Sequence, residues 1–256
     1  MKCVILAGGY GSRLSEETLA RPKPMVEIGG KPILWHIMKI YGSHGINEFI
    51  VCLGYKGYII KEYFANFALH TADITFDLRD GRTEFHQAAI EPWRVTLVET
   101  GADTETGGRL QKVASHLDDE PFCLTYGDGV GDVNIGATID FHKSHGKLAT
   151  VTAVQPLGRF GQLDISGDMV CEFVEKPAGD GEWINGGFFV LEPEAIEYVG
   201  DSGTSWEGAP LQALSQAGQL ACYKHREFWH PMDTLRDKKM LEELWDGGNA
   251  PWKVWN

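Results

Sequence analysis

The sequence predicts an α/β fold built on a mixed, mostly parallel sheet, and three observations carry that prediction. Short apolar, partly β-branched runs end directly in glycine at Cys3–Ala7, Phe49–Leu53 and Phe122–Tyr126, as buried parallel strands do. Stretches with helical spacing lie between them. Past Ala149 the pattern changes to short alternating segments separated by glycine and proline.

Taken in order, the first strand Cys3–Ala7 runs into a glycine turn, and Ile33–Tyr41 follows with helical spacing. The strand Phe49–Leu53 leads to a helix over Tyr58–Phe67. Leu110, Val113, Ala114 and Leu117 then follow the i, i+3, i+4, i+7 rule of an amphipathic helix before the strand Phe122–Tyr126. Strand and helix in alternation imply right-handed crossovers between parallel strands. The second half reads as short strands at Ala149–Val154, Gly161–Ile165, Val170–Val174 and Gly187–Leu191, an antiparallel or mixed portion carrying the other side of a pocket. Helices over Trp206–Ala217 and Thr234–Trp245 close the chain. With neither an internal repeat nor a long linker, residues 1–256 read as one domain, a nucleotide-binding half over about 1–150 and a second half over about 151–256. The tail 247–256, with Trp252 and Trp255, is expected to pack back on the body.

Composition narrows the function classes. A 256-residue chain with 43% hydrophobic residues can bury a sizeable core. Its formal charge of −13 argues against a nucleic-acid polymer or an anionic membrane as partner. The five cysteines are odd in number and never in a C-x-x-C pair, so they suggest neither a disulfide framework nor a zinc site. No run approaches the ~20 apolar residues of a membrane span, and the N-terminal apolar stretch is too short for a signal peptide. The expectation is a cytoplasmic protein. The H-x-x-H pair His142 and His145 is assigned to a solvated surface helix.

Gly8-Gly9-Tyr10-Gly11-Ser12-Arg13 stands at the carboxyl end of the first strand, where open α/β sheets bind ligands. Glycines there let backbone amides approach phosphate oxygens. The dinucleotide fingerprint fails because Leu14 stands where its third glycine belongs, and no G-x-x-x-x-G-K-[ST] occurs, since Lys31 is followed by Pro32. A glycine turn alone is compatible with a plain tight turn. This one carries Arg13, and ten residues on Lys23 is held between Pro22 and Pro24, which stiffen the backbone that presents its ammonium. Asp128 ends a strand between two glycines, and Asp233 precedes a helix. Each alone reads as a turn or cap residue. As a pair they could supply the one or two carboxylates that Mg²⁺ takes beside substrate phosphates.

The residues that carry a resemblance are Val4–Arg13, Arg21–Lys39, Gly54–Phe67, Thr106–Leu110, Thr125–Val130, Gly158–Gly161, Glu175–Pro177, Asn185–Pro193 and Phe228–Lys238. They cover essentially the whole chain, which resembles the sugar nucleotidylyltransferases and, within them, the glucose-1-phosphate cytidylyltransferases. The glycine loop and Glu175-Lys176-Pro177 mark the wider family; N-G-G-F-F-V-L and P-M-D-T-L-R-D are more specific to the cytidylyl branch. The resemblance implies a three-layer, Rossmann-like α/β domain of the nucleotide-diphospho-sugar transferase type with a small antiparallel sugar-binding portion. It implies CTP and glucose 1-phosphate as substrates, CDP-glucose and pyrophosphate as products, and a role in precursor synthesis for surface polysaccharides. Leu6, Ala7, Gly8, Gly9, Tyr10, Gly11, Ser12, Arg13 and Lys23 would bind the triphosphate, and Thr104, Arg109 and Gly127 the nucleoside side, with Arg109 reading the cytosine edge. Arg13, Lys23 and Asp128 would be catalytic, Asp128 and Asp233 would hold Mg²⁺, and Glu175, Lys176, Asn185 and Gly186 would take the sugar phosphate. A homo-oligomer, up to a hexamer, is implied. The alternatives are thymidylyl or uridylyl transfer to the same sugar, and a binding module without turnover.

Overall fold

A computed structural model describes residues 1–86, 91–156, 162–166, 169–174 and 182–255. Seven strands form the central sheet: β1 (Cys3–Leu6), β2 (Glu48–Leu53), β3 (Arg94–Glu99), β4 (Phe122–Tyr126), β5 (Ala149–Val154), β6 (Ile184–Leu191) and β7 (Leu220–His225). Their spatial order is β7-β5-β6-β4-β1-β2-β3. All run parallel except β6, which is antiparallel to both of its neighbours. The expected mostly parallel sheet is thus present, and strands from both sides of residue 150 share it.

Three layers follow from the period-2 alternation of strand side chains. Cys3 and Ile5 of β1, with Phe49, Val51 and Leu53 of β2, enter one core, where helix α1 (Ile33–Ser43) packs. Val4 and Leu6, with Ile50 and Cys52, enter the core on the opposite face. Helix α2 (Gly57–Ala65) returns the chain from β2 and buries Ile60 in the first of these layers. Helix α3 (Thr106–Val113) lies on the other face, with Leu110 and Val113. Both faces are covered, so the central strands are continuously apolar. The edge strands β3 and β7 are only partly covered and carry interspersed polar residues, which hid them from the sequence reading.

Among the described residues, the other helices of eight or more residues are α4 (Ile135–His145), α5 (Ala209–Gln216) and α6 (Leu235–Asp246). α6 begins in a capping box between Thr234 and Asp237. Gln162–Ser166 and Met169–Val174 pair as an antiparallel hairpin outside the sheet, and Asp73–Asp77 with Arg82–His86 form a second one that the sequence had not suggested. The tail packs back as expected: Trp252 is fully buried against Phe228 and Trp245, and its indole N–H donates to His36 Nδ1 at 3.3 Å. All five cysteines are free. No helix among the described residues is long and apolar enough to cross a membrane.

The sequence placed His142 and His145 on a solvated helix face, and the fold does otherwise. His142 is buried, not solvated: its Nδ1 lies 2.8 Å from Thr150 Oγ1 and its Nε2 3.3 Å from Glu192 Oε1. Helix α4 turns it inward onto β5, and burial first, then the neighbouring His145 and Lys143, lower its pKa to about 4.

Candidate active site

At the carboxyl ends of β1 and β4 the glycine loop lines a cavity of about 290 Å³. Twelve sequence-selected residues border it: Leu6, Ala7, Gly8, Gly9, Gly11, Ser12, Arg13, Lys23, Thr104, Arg109, Gly127 and Asp128. The loop is pinned from both flanks. Gly127 N–H donates to Leu6 O at 3.0 Å, and Tyr55 N–H donates to Gly8 O at 3.1 Å. Gly11 has φ +63°, and a Cβ there would lie 2.8 Å from Thr18 Cγ2, so conformation and space both require glycine.

Charge collects at one end of this cavity. The stiff turn Lys23–Met25 buries Lys23 and aims its Nζ at two carboxylates, Asp128 Oδ2 and Asp233 Oδ1, each 2.6 Å away. Arg13 adds a second cation, its Nη1 2.9 Å from Asp233 Oδ2 while its side chain is 72% exposed. Burial would lower the Lys23 pKa, but Asp128 and Asp233 outweigh it and hold the ammonium above its ordinary value. These partners lie 105 and 210 residues from Lys23 in the chain. A two-strand clip brings the aspartates together: Gly129–Gly131 pairs antiparallel with Trp229–Pro231, and Met232 N–H donates to Asp128 O at 2.8 Å. Asp237 Oδ2 then accepts from the N–H groups of Asp233 and Thr234 at 3.0 and 2.8 Å, which orients the second aspartate.

Among the described residues no cluster of three or more His, Cys, Asp or Glu side chains suits a metal ion. Two hard carboxylates, Asp128 and Asp233, converge here and could hold a hard divalent cation that completes its shell with phosphate and water.

Other selected residues have different surroundings. Arg109 is buried, and its guanidinium donates to Leu53 O, Thr100 Oγ1, Gly101 O, Gly8 O and Ala102 O at 2.7–3.1 Å. Those bonds brace the glycine loop against the loop 100–104. The guanidinium that the sequence reading aimed at a base edge thus holds four backbone carbonyls and one hydroxyl while bordering the cavity. Thr104 donates to Thr100 O at 2.6 Å and receives Lys112 Nζ at 3.0 Å. Tyr10 does not border the cavity; its hydroxyl bridges to Asp103 Oδ1 at 2.7 Å, and its ring lies against Tyr55. Asn185 joins the rim through Tyr126, 3.1 Å away, and Gly186 is buried with its carbonyl accepting from Trp229 Nε1 at 2.7 Å. Glu175 and Lys176 lie outside the described residues.

Sequence reading missed Pro24, Glu105, Thr106 and Tyr126, which also border the cavity. Tyr126 directly precedes Gly127-Asp128 and could have been found there; Glu105 and Thr106 stand at the start of α3, where Glu105 N–H donates to Ser202 O at 3.1 Å, a contact 97 residues away in the chain.

The chain matches a family model described as nucleotidyl transferase over residues 2–234. It is 62% identical to a glucose-1-phosphate cytidylyltransferase of Salmonella typhi over the full length of both chains. It is 29% identical to a mannose-1-phosphate guanyltransferase of Candida albicans, covering 94% of this chain and 63% of that protein. Among solved structures, UDP-glucose pyrophosphorylase complexed with UDP-glucose shares the fold at a TM-score of 0.69 and 16% identity, covering 96% of this chain and 98% of that one.

Proposed function

The chain belongs to the nucleotidyl transferase family, and from that premise we propose that it transfers the cytidylyl group of CTP to glucose 1-phosphate, giving CDP-glucose and pyrophosphate. The observation that carries the chemistry is the pair of carboxylates closed on Lys23 beside a backbone-lined cavity of anion-binding design. Its sugar and base come from the cytidylyltransferase relatives.

The nucleophile is a phosphate oxygen of the sugar phosphate. A phosphate monoester loses its second proton near pKa ~6, so that oxygen is already anionic and no side chain need act as base. The protein's task is in-line positioning at the α-phosphorus and neutralisation of charge on the departing pyrophosphate. Glycine-loop amides would cradle the triphosphate, Arg13 would form forked contacts to its outer phosphates, and Lys23 would act as a point charge on the α-phosphate. Mg²⁺, held by Asp128 and Asp233, would supply Lewis-acid neutralisation of phosphate charge when bound. Lys23 would then exchange carboxylate for phosphate contacts, its charge retained. We further propose that Glu175, Lys176, Asn185 and Gly186 take the sugar phosphate and that the working form is a cytoplasmic homo-oligomer, which light scattering on the purified protein tests.

Pyrophosphate release measured with glucose 1-phosphate across CTP, dTTP, UTP and GTP tests the proposal. CTP should be preferred by at least about a hundredfold, since a pocket whose polar groups match one base leaves them unpaired with another. Equal or greater turnover with dTTP or UTP refutes the base assignment. Mannose 1-phosphate in the same assay tests the sugar, and release there at the glucose rate refutes it.

A further inference from the structure

Beside the cavity, the side-chain amide of Asn185 has its orientation dictated by its neighbours. The Gly187 backbone N–H can only donate, and it lies 2.8 Å from Asn185 Oδ1. The carbonyl end of the amide therefore faces Gly187, and Nδ2 faces Tyr126 Oη at 3.1 Å. Nδ2 also only donates, so the phenol oxygen accepts there and must send its own proton elsewhere. That proton goes to Glu207 Oε1, 2.5 Å away. The second carboxylate oxygen of Glu207 accepts from the hydroxyls of Thr106 and Ser205, both at 2.6 Å. Thr106, committed as a donor, accepts the Trp206 N–H at 2.9 Å. Every proton in the chain of bonds has one place to go, provided that Glu207 is an acceptor at both oxygens.

Glu207 meets that condition. Withdrawal of its head group from water pushes its carboxyl up, but hydrogen bonds from Ser205, Thr106 and Tyr126 outweigh this and hold it below the usual carboxylate range. The bonds also bridge the two sides of the site. Tyr126 and Thr106 border the cavity, and Asn185 sits on β6, the antiparallel strand from the second half of the chain. Close fit keeps the phenol in place, since a Cβ on Gly187 would lie 2.5 Å from the Tyr126 ring.

We propose that Glu207 is a positioning residue that, through Tyr126, fixes the Asn185 amide so that it offers an N–H donor to a hydroxyl of the sugar phosphate. Through Thr106 it ties that arrangement to the wall of the nucleotide cavity. The inference rests on the sugar-phosphate reading of this site. A donor fixed in direction discriminates among epimers, because an inverted hydroxyl leaves the N–H unpaired.

Glu207→Gln breaks the relay with little change in shape. If the new Nε2 faces Tyr126, the phenol proton must turn toward Asn185, and the amide can flip only by setting its NH₂ against the Gly187 N–H. If Nε2 instead faces Thr106 and Ser205, Thr106 must accept a second time and its own hydroxyl proton loses the carboxylate oxygen it donated to. The experiment measures kcat and KM for glucose 1-phosphate and its galactose and mannose epimers, with melting temperatures, for wild type, E207Q, Y126F and the double variant. The expected result is a rise of about tenfold in KM for glucose 1-phosphate in E207Q and a several-fold fall in preference for glucose over its epimers. Y126F should do the same, with no further loss in the double variant, because both changes cut one relay. Unchanged sugar kinetics in E207Q, additive losses in the double variant, or a lower melting temperature with the epimer preference intact would each overturn the positioning role. A wild-type protein inactive with CTP and every sugar phosphate would instead overturn the proposed function, and the relay's purpose with it.

Discussion

Replacing Lys23 by methionine keeps the length of the side chain and removes its charge, which leaves Asp128 and Asp233 facing one another. Their oxygens each lie 2.6 Å from the ammonium, hence within about 5 Å of each other. At an effective dielectric of ~20, two unit charges at that distance repel by about 3 kcal/mol. That matches the range of about 3–5 kcal/mol for removing one partner of a buried ion pair. For a chain of this size each kcal/mol shifts the melting temperature by roughly 2–4 °C, so K23M should melt about 6–12 °C below wild type near pH 7. The deficit has a defined pH dependence. Without the ammonium the two carboxylates repel for as long as both are charged, and the repulsion disappears when one of them takes up a proton. The variant therefore recovers stability relative to wild type as pH falls, and loses it as pH rises. In wild type the raised Lys23 pKa works at the other end, its contribution complete at neutral pH and lost only in strongly alkaline solution. Thermal melts of both proteins from about pH 7 to pH 5, with and without millimolar Mg²⁺, check this; Mg²⁺ should stabilise the variant more than wild type. Equal melting temperatures at pH 7, or a deficit that fails to narrow on acidification, would refute the account of Lys23 as the counter-ion of this pair.

Asp128→Asn leaves the Lys23–Asp233 pair in place, so steady-state assays should show turnover reduced by more than about a hundredfold with melting nearly unchanged. Arg109→Lys offers at most three donors where five acceptors are now served, and a melting curve should show a loss of about 2–4 kcal/mol together with weaker CTP binding by calorimetry. At Gly54 a methyl group would lie 2.5 Å from Gly8 O and 2.9 Å from Gly101 O; Gly54→Ala must part the two loops, and its CTP affinity should fall at least tenfold in the same calorimetric titration. Burial lowers His36 and His142 to about 4, so both are neutral in the fold while the unfolded chain takes up protons near 6.5. Urea midpoints should therefore fall as pH drops from about 6.5 toward 4, and His142→Gln should flatten that slope.

Much of this molecule was legible because its central strands are buried on both faces and announce themselves as apolar runs ending in glycine. The phosphate loop was equally legible, since amide approach demands glycine whatever the surrounding fold. The edge strands β3 and β7 were not, because half-solvated strands carry no distinctive text. His142 and His145 were misread for a related reason: spacing along a helix says which residues share a face, not whether that face meets water or β5.

By itself the sequence determined the sheet's core strands, the glycine loop and the identity of the charged groups, all properties of local composition and of period. Only the tertiary structure decided that Asp128 and Asp233 share one ammonium, that Arg109 braces the glycine loop against residues 100–102, and that Glu207 reaches Tyr126 and Thr106. The physical reason is range. Propensity and burial pattern act over a few residues and are written in adjacent letters, whereas ion pairs and proton relays act over a few ångströms between residues as far apart as Lys23 and Asp233, 210 positions away in the chain.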